Sequence, residues 1–304
     1  MRRWIVLLAG GVALWVLGSR GLGSYGAMIA WTLCLQGILA LSYDLLGGYG
    51  GELHLGHGAF FGIGVYASAL ATVYGLPWWA ALAAAGAAGG IAARLLAPLL
   101  VPLRGVGFAL SSLGVLLLFA LLARNLQGLT GGTAGISLPG ALNLGAGPYT
   151  GTLLLLVGAL WLHDALPGSR FGRALRGTAA DPEAAAASGV PTSALRRQAL
   201  VLGSVVAGLA GGIYPFPMGY VSPQSAFGLE NALTPVVMVL VGGPASRWGP
   251  LLGVVLYAGV REVLWTSGWD WNLAMTGIGL MAVGLLLPRG MAGLFFRKPR
   301  FPET

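Results

Sequence analysis

Ten long apolar runs separated by short polar breaks set the pattern of this chain. They fall at about 4–18, 25–46, 53–74, 77–101, 106–123, 149–166, 198–217, 228–246, 249–266 and 271–287. Most exceed the about 17 residues that a helix needs to cross a bilayer, and the shortest lie near that limit. The pattern predicts an all-α integral membrane protein: a polytopic bundle of about ten transmembrane helices forming a single domain over 1–304.

Two polar stretches interrupt the pattern. The first, 124–148, holds Leu129-Thr130-Gly131-Gly132-Thr133-Ala134-Gly135-Ile136-Ser137; the second, 167–197, carries five arginines. When the spans alternate from a cytoplasmic N-terminus, 14 of the 17 basic residues fall inside or near an inner helix end. Arg20, Arg124 and Arg261 fall outside. That asymmetry is the positive-inside bias, and Trp78, Trp79, Trp269 and Trp271 sit at outer ends as an interfacial belt would. The expected topology has both termini cytoplasmic, with 124–148 outside and 167–197 inside. Arg2-Arg3 before the apolar run from Trp4 to Leu17 resembles a signal peptide, but Gly18-Ser19-Arg20 offers no small-x-small cleavage site, so the segment is expected to stay as the first span.

Composition agrees. Of 304 residues, 56% are hydrophobic and 9% charged, against about 25% charged in a soluble domain. A mean hydropathy of +0.80 leaves too few polar residues to cover a water-soluble globule. The 52 glycines suit helices that must approach closely in lipid, where apolar surface alone gives no drive to associate. The net charge of +8 does not point to nucleic acid, because the basic residues are dispersed between apolar segments. Cys34, the single cysteine, has no intrachain partner for a disulfide.

Chemistry of the enzymatic kind is missing. A phosphate-binding P-loop needs Gly-x-x-x-x-Gly-Lys-Ser/Thr, and the one lysine, Lys298, precedes Pro299. Neither metal-ligand spacing nor a Gly-x-Ser-x-Gly elbow occurs. The reading is therefore of a non-enzyme with no catalytic residues, no metal and no cofactor. A secondary transporter or channel working alone would show charges deep in several spans. Here the helix centres are nearly free of charge. Asp44 and the pair Arg261-Glu262 are functional candidates as ionisable residues near membrane depth, but all three lie near span ends, where snorkelling also suffices and is favoured for Arg261 and Glu262.

The internal stretch 167–197 is the most explicit. Asp181 suits an N-cap, Pro182 the first helical position, and Glu183 the first turn. Gly189 suits the C-terminal cap, with Pro191 just beyond. These signals specify a helix of about two turns, too short to be stable alone in water and with an alanine face that has little to bury. Such a helix calls for a groove to dock into.

Glu183-Ala184-Ala185, three residues, then Gly189 resembles the EAA loop of ABC importer permeases. The segment DLLGGYGGELHLGHGAFFGIGVY from Asp44 to Tyr66 resembles branched-chain amino-acid ABC permeases. So do Leu129-Thr130-Gly131-Gly132 through Gly135, Arg170-Phe171-Gly172-Arg173-Ala174, Gly242-Gly243 through Trp248-Gly249-Pro250, and Leu287-Pro288-Arg289-Gly290. The blocks cover roughly 40–294 and look most like the M-type partner of the two unequal permeases of such systems. The chain departs from the family pattern at Pro244-Ala245-Ser246-Arg247 and in its Ala-rich loop.

The resemblance implies a permease subunit in a bacterial or archaeal plasma (inner) membrane, partnered by a second permease, two cytoplasmic ATP-binding subunits that hydrolyse the ATP, and an extracytoplasmic substrate-binding protein. It implies that 167–197 is a coupling loop in which Asp181, Glu183, Ala184, Ala185 and Gly189 engage an ATPase. Branched-chain amino acids lead as substrate; relatives with the same blocks carry urea or small amides. For the translocation pathway the candidates are Gly50, His54 and His57 at the inner boundary, with Thr130, Gly131 and Gly132 outside. The glycines also fit simple helix packing, and the Thr130 turn a surface loop.

Overall fold

The computed structural model describes residues 23–138, 147–246 and 248–266. In chain order these form α1 (Gly23–Asp44), α2 (His57–Val73), α3 (Trp78–Leu100), α4 (Gly105–Asn125), α5 (Gln127–Thr130), β1 (Ile136–Ser137), α6 (Gly147–Ala165) and α7 (Arg170–Ala180). There follow α8 (Pro182–Ala187), α9 (Thr192–Ile213), α10 (Pro215–Met218), β2 (Tyr220–Val221), α11 (Pro223–Phe227), α12 (Leu229–Gly242) and α13 (Gly249–Thr266).

Eight of the ten apolar runs lie in the described residues, and each carries a helix; 4–18 and 271–287 fall outside them. Five stretches are long and apolar enough to cross a membrane: Gly26–Asp44, Trp78–Leu100, Gly105–Asn125, Thr192–Met218 and Pro223–Gly242. A sixth is added if α6 and α7, bent by 69°, form one broken span. The described residues thus account for five or six of the about ten spans expected. Helix α2 has only 17 residues, because 53–56 is not helical.

Helix α9 packs along α3 and α2. Small residues let the backbones touch: a methyl on Gly208 would sit 2.6 Å from the Ala85 carbonyl oxygen, and one on Gly89 2.6 Å from that of Ser204. One on Gly64 would strike the Gly208 carbonyl. Close approach of this kind supplies the van der Waals attraction that helices in lipid depend on. Phe60, Phe61, Val65, Ala207, Ala210 and Ile213 fill the interior around this seam. Leu95, Leu99, Val106, Leu110 and Leu117 point outward from α3 and α4, a surface suited to acyl chains.

The helix ends collect on two faces. On one, Asp44 at the end of α1 meets His163 near the end of α6 and Ala245 in the turn after α12. On the other, β1 pairs antiparallel with β2, Ile136 opposite Val221, tying the loop after α4 to the turn after α10. The Leu138 amide extends this pairing to the Gly219 carbonyl at 2.8 Å, and the Tyr220 hydroxyl donates to the Ala134 carbonyl at 2.7 Å. The stretch 167–197, read from sequence as a loop with one short helix, holds two. Helix α7 starts because the Ser169 hydroxyl accepts the Gly172 amide at 2.9 Å, and it buries Leu175 completely.

Candidate functional site

Helix α8 is built by its caps. One Asp181 carboxyl oxygen accepts the Glu183 and Ala184 amides at 3.0 and 2.9 Å, and Pro182 opens the first turn. At the other end the Val190 amide donates to the Ala185 carbonyl at 3.0 Å and the Gly189 amide to that of Ala186 at 2.9 Å. This is a Schellman closure, and Gly189 takes the left-handed conformation it needs, φ +77°. None of the six residues of α8 is buried; Glu183, Ala184 and Gly189 are exposed and Ala185 half-buried.

His54 and His57 do come together, ring centroids 5.5 Å apart and edge to face. His54 also packs on Phe60 and Phe108, and Tyr43 sets its ring edge-on to His57. The Ser42 hydroxyl lies 2.8 Å from the Leu39 carbonyl oxygen and 2.8 Å from His57 Nε2. His54 Nε2 is buried and has no hydrogen-bond partner among the described residues. Gly50 is buried beside this cluster's chain, where a methyl would sit 2.6 Å from the Leu46 carbonyl oxygen.

Thr130, Gly131 and Gly132 lie elsewhere. The Thr130 hydroxyl reaches the Ala123 and Leu126 carbonyls at 2.6 and 2.8 Å and receives the Gly132 amide at 3.3 Å. Gly131 and Gly132 both have positive φ, so the turn requires residues without a Cβ. Ser112, which receives the Gly56 amide, and Ala123 lie 11 residues apart on α4. That is about 16 Å of helical rise. The two groups of pathway candidates occupy opposite ends of the bundle.

The structure corrects the reading of Asp44. It does not snorkel but is wholly buried, with Oδ2 2.7 Å from His163 Nε2 and Oδ1 accepting the Ala245 amide at 3.0 Å. Arg176 on α7 donates to the Ala245 carbonyl at 2.8 Å and lies 4.6 Å over the Tyr49 ring, whose hydroxyl faces the His163 carbonyl. Ala245 is the one non-glycine residue with positive φ among the described residues, 51°. This network joins α1, α6, α7 and the turn before α13, and α8 follows α7 directly.

Arg196, expected in the inner loop, is 4% exposed at the start of α9. It pairs with Glu52 at 2.7 Å and donates to the Val101 and Leu103 carbonyls at 2.6 and 2.8 Å. Burial pushes the Glu52 carboxyl up from its ordinary value, and Arg196 pulls it back. Arg261 is half exposed, 3.4 Å from Glu230, as an end-of-span residue would be; the side chain of Glu262 and all of Arg247 lie outside the described residues. Among the described residues no three His, Cys, Asp or Glu side chains form a metal site.

Stacked apolar helices, a seam of glycines and a capped exposed helix beside a buried polar network describe a polytopic membrane permease. The chain belongs to the family described as branched-chain amino acid transport system / permease component, whose model matches residues 26–286. It is similar to the high-affinity branched-chain amino acid transport system permease protein LivM of Salmonella typhimurium, 29% identical over 286 residues, 84% of this chain and 67% of that protein. The Escherichia coli LivM is 28% identical over the same shares. The autoinducer 2 import system permease protein LsrC of Yersinia pestis is 32% identical over 139 residues, 43% of this chain and 38% of that protein. No solved structure gives a significant match. The chain is a multi-pass permease of the ABC importer type.

Proposed function

We propose that this permease carries branched-chain amino acids inward, working with a second permease, two cytoplasmic ATP-binding subunits and an extracytoplasmic binding protein. The observation that carries this reading is α8: a helix with strong caps at both ends and no buried residue, which an isolated chain has no reason to specify. Docked in a groove of an ATPase, Glu183, Ala184 and Ala185 would present a small flat face to it. The end of the bundle bearing Asp44 and α8 then faces the cytoplasm, as do both termini.

In this reading ATP binding draws the two ATPases together and pulls α8 with them. Helix α7 passes the displacement on, because Arg176 grips the Ala245 turn that Asp44 also holds. Gly50, His54 and His57 then belong to the inner end of the route, and Thr130, Gly131 and Gly132 to the outer. The names of the LivM relatives support branched-chain amino acids. Gentle affinity purification from native membranes tests the assembly: a second permease and two ATP-binding subunits should follow the tagged chain and be lost with Gly189→Val. Recovery of the chain alone, under conditions that preserve a known ABC complex, would favour an autonomous transporter. Uptake of labelled leucine against labelled urea in vesicles holding the assembly decides the substrate.

A further inference from the structure

A groove of about 670 Å³ opens on the side of the bundle between α3, α6, α7 and α9. Its walls are apolar, with Leu162, Phe171, Val201 and Leu202 among them, and two arginines enter it, Arg94 from α3 and Arg197 from α9. Both arginines are exposed. Among the described residues neither makes a hydrogen bond or an ion pair, whereas neighbouring Arg196 uses both of its terminal nitrogens.

The position of Arg94 is the telling one. It lies six residues before the end of α3, about 9 Å along the helix axis, and the exposed Leu95 and Leu99 beside it mark that surface as lipid-facing. A guanidinium at such a depth is costly unless it finds an anion or reaches the interface. A pocket of this size is in the range that holds a ligand, and a basic pocket between helices suits an anionic head group. Its apolar walls suit a hydrocarbon chain.

We propose that this groove binds an anionic phospholipid, with its phosphate between Arg94 and Arg197 and an acyl chain along Leu162, Val201 and Leu202. Two arginines meet a phosphate by charge-assisted hydrogen bonds that a zwitterionic lipid offers less strongly, since its own cation competes.

Native mass spectrometry of the intact chain in detergent, titrated with phosphatidylglycerol or phosphatidylcholine, tests it. One phosphatidylglycerol should bind in preference to phosphatidylcholine, with affinity falling about fivefold for Arg94→Gln or Arg197→Gln, the loss expected for one basic contact to an anionic surface. The Arg94→Lys/Arg197→Lys double variant should keep the preference, and unchanged unfolding temperatures in lipid-free detergent separate lost binding from lost fold. Inorganic phosphate should not displace the lipid. Equal binding of the two lipids would mean that the arginines merely snorkel, and undiminished phosphatidylglycerol binding by Arg94→Gln/Arg197→Gln would place the lipid elsewhere. Absence of any lipid adduct would mean that the groove is covered by another part of the chain. Each of these three results overturns the proposal.

Discussion

His163 Nε2 lies 2.7 Å from Asp44 Oδ2, with both side chains almost completely buried. The contact links the end of α1 to the end of α6, and the second carboxyl oxygen of Asp44 holds the Ala245 amide. One side chain thus fastens three separate parts of the chain at the end of the bundle that bears α8.

Removing both members of this pair should therefore cost less than the two single losses added together. Asp44→Leu leaves His163 and the Ala245 amide unsatisfied, and His163→Leu leaves Asp44 short of a partner. Each single variant is expected to lose about 3 kcal/mol, as when a buried pair is broken. The double variant should be milder than the sum of the two, a non-additivity readable from unfolding midpoints in detergent.

Arg196 should resist even a conservative change. Its guanidinium serves Val101 from Nη1 and both Glu52 and Leu103 from Nη2, a fork that a single ammonium cannot reproduce. Arg196→Lys is expected to destabilise by about 1–3 kcal/mol, the cost of buried acceptors left unmade. Glu52→Gln, which keeps a neutral acceptor for Arg196, should cost less. A midpoint unchanged in Arg196→Lys would contradict the geometry.

The glycines separate into two kinds. A methyl at Gly208 meets the Ala85 backbone, so Gly208→Ala should destabilise by about 1–3 kcal/mol through forced separation of α9 from α3. A methyl at Gly158 on α6 meets nothing within 4 Å, so Gly158→Ala should stabilise by about 0.5–1 kcal/mol. Expression level and thermal midpoint together distinguish the two.

At α8 the expected effects fall on activity. Asp181→Ala removes a cap worth about 1 kcal/mol, and Gly189→Val forces a β-branched residue to φ +77°. Because α8 buries no residue, the bundle should keep its unfolding temperature. Asp181→Ala vesicles should then show reduced uptake per ATP hydrolysed, Gly189→Val should fail to retain the ATP-binding subunits, and normal uptake and assembly in both variants would remove the role proposed for this helix.

The limits of α8 were legible because capping is local: Asp181, Pro182 and Gly189 state the start and stop within nine residues. Helix α7 carried a comparable signal in Ser169 and Leu175, masked by the arginines around them. The apolar periods also placed the long helices, although α2 begins only at His57, after an irregular 53–56. The ion pairs were not legible. Asp44 and His163 are 119 residues apart, and nothing near either names the other. Position near a span end suggested solvent for Asp44, and packing of α6 against α1 overrode it. The Thr130 turn was visible as Gly-Gly, but that its hydroxyl would be spent on the backbone depended on how the chain leaves α4.

The seam between α2, α3 and α9 has a mechanical consequence. Where Gly64, Gly89 and Gly208 bring backbone against backbone, there is no intervening layer of side chains able to change rotamer and let one helix slide past another. The three helices therefore behave as a keel, and any rocking of the permease has to pivot about them.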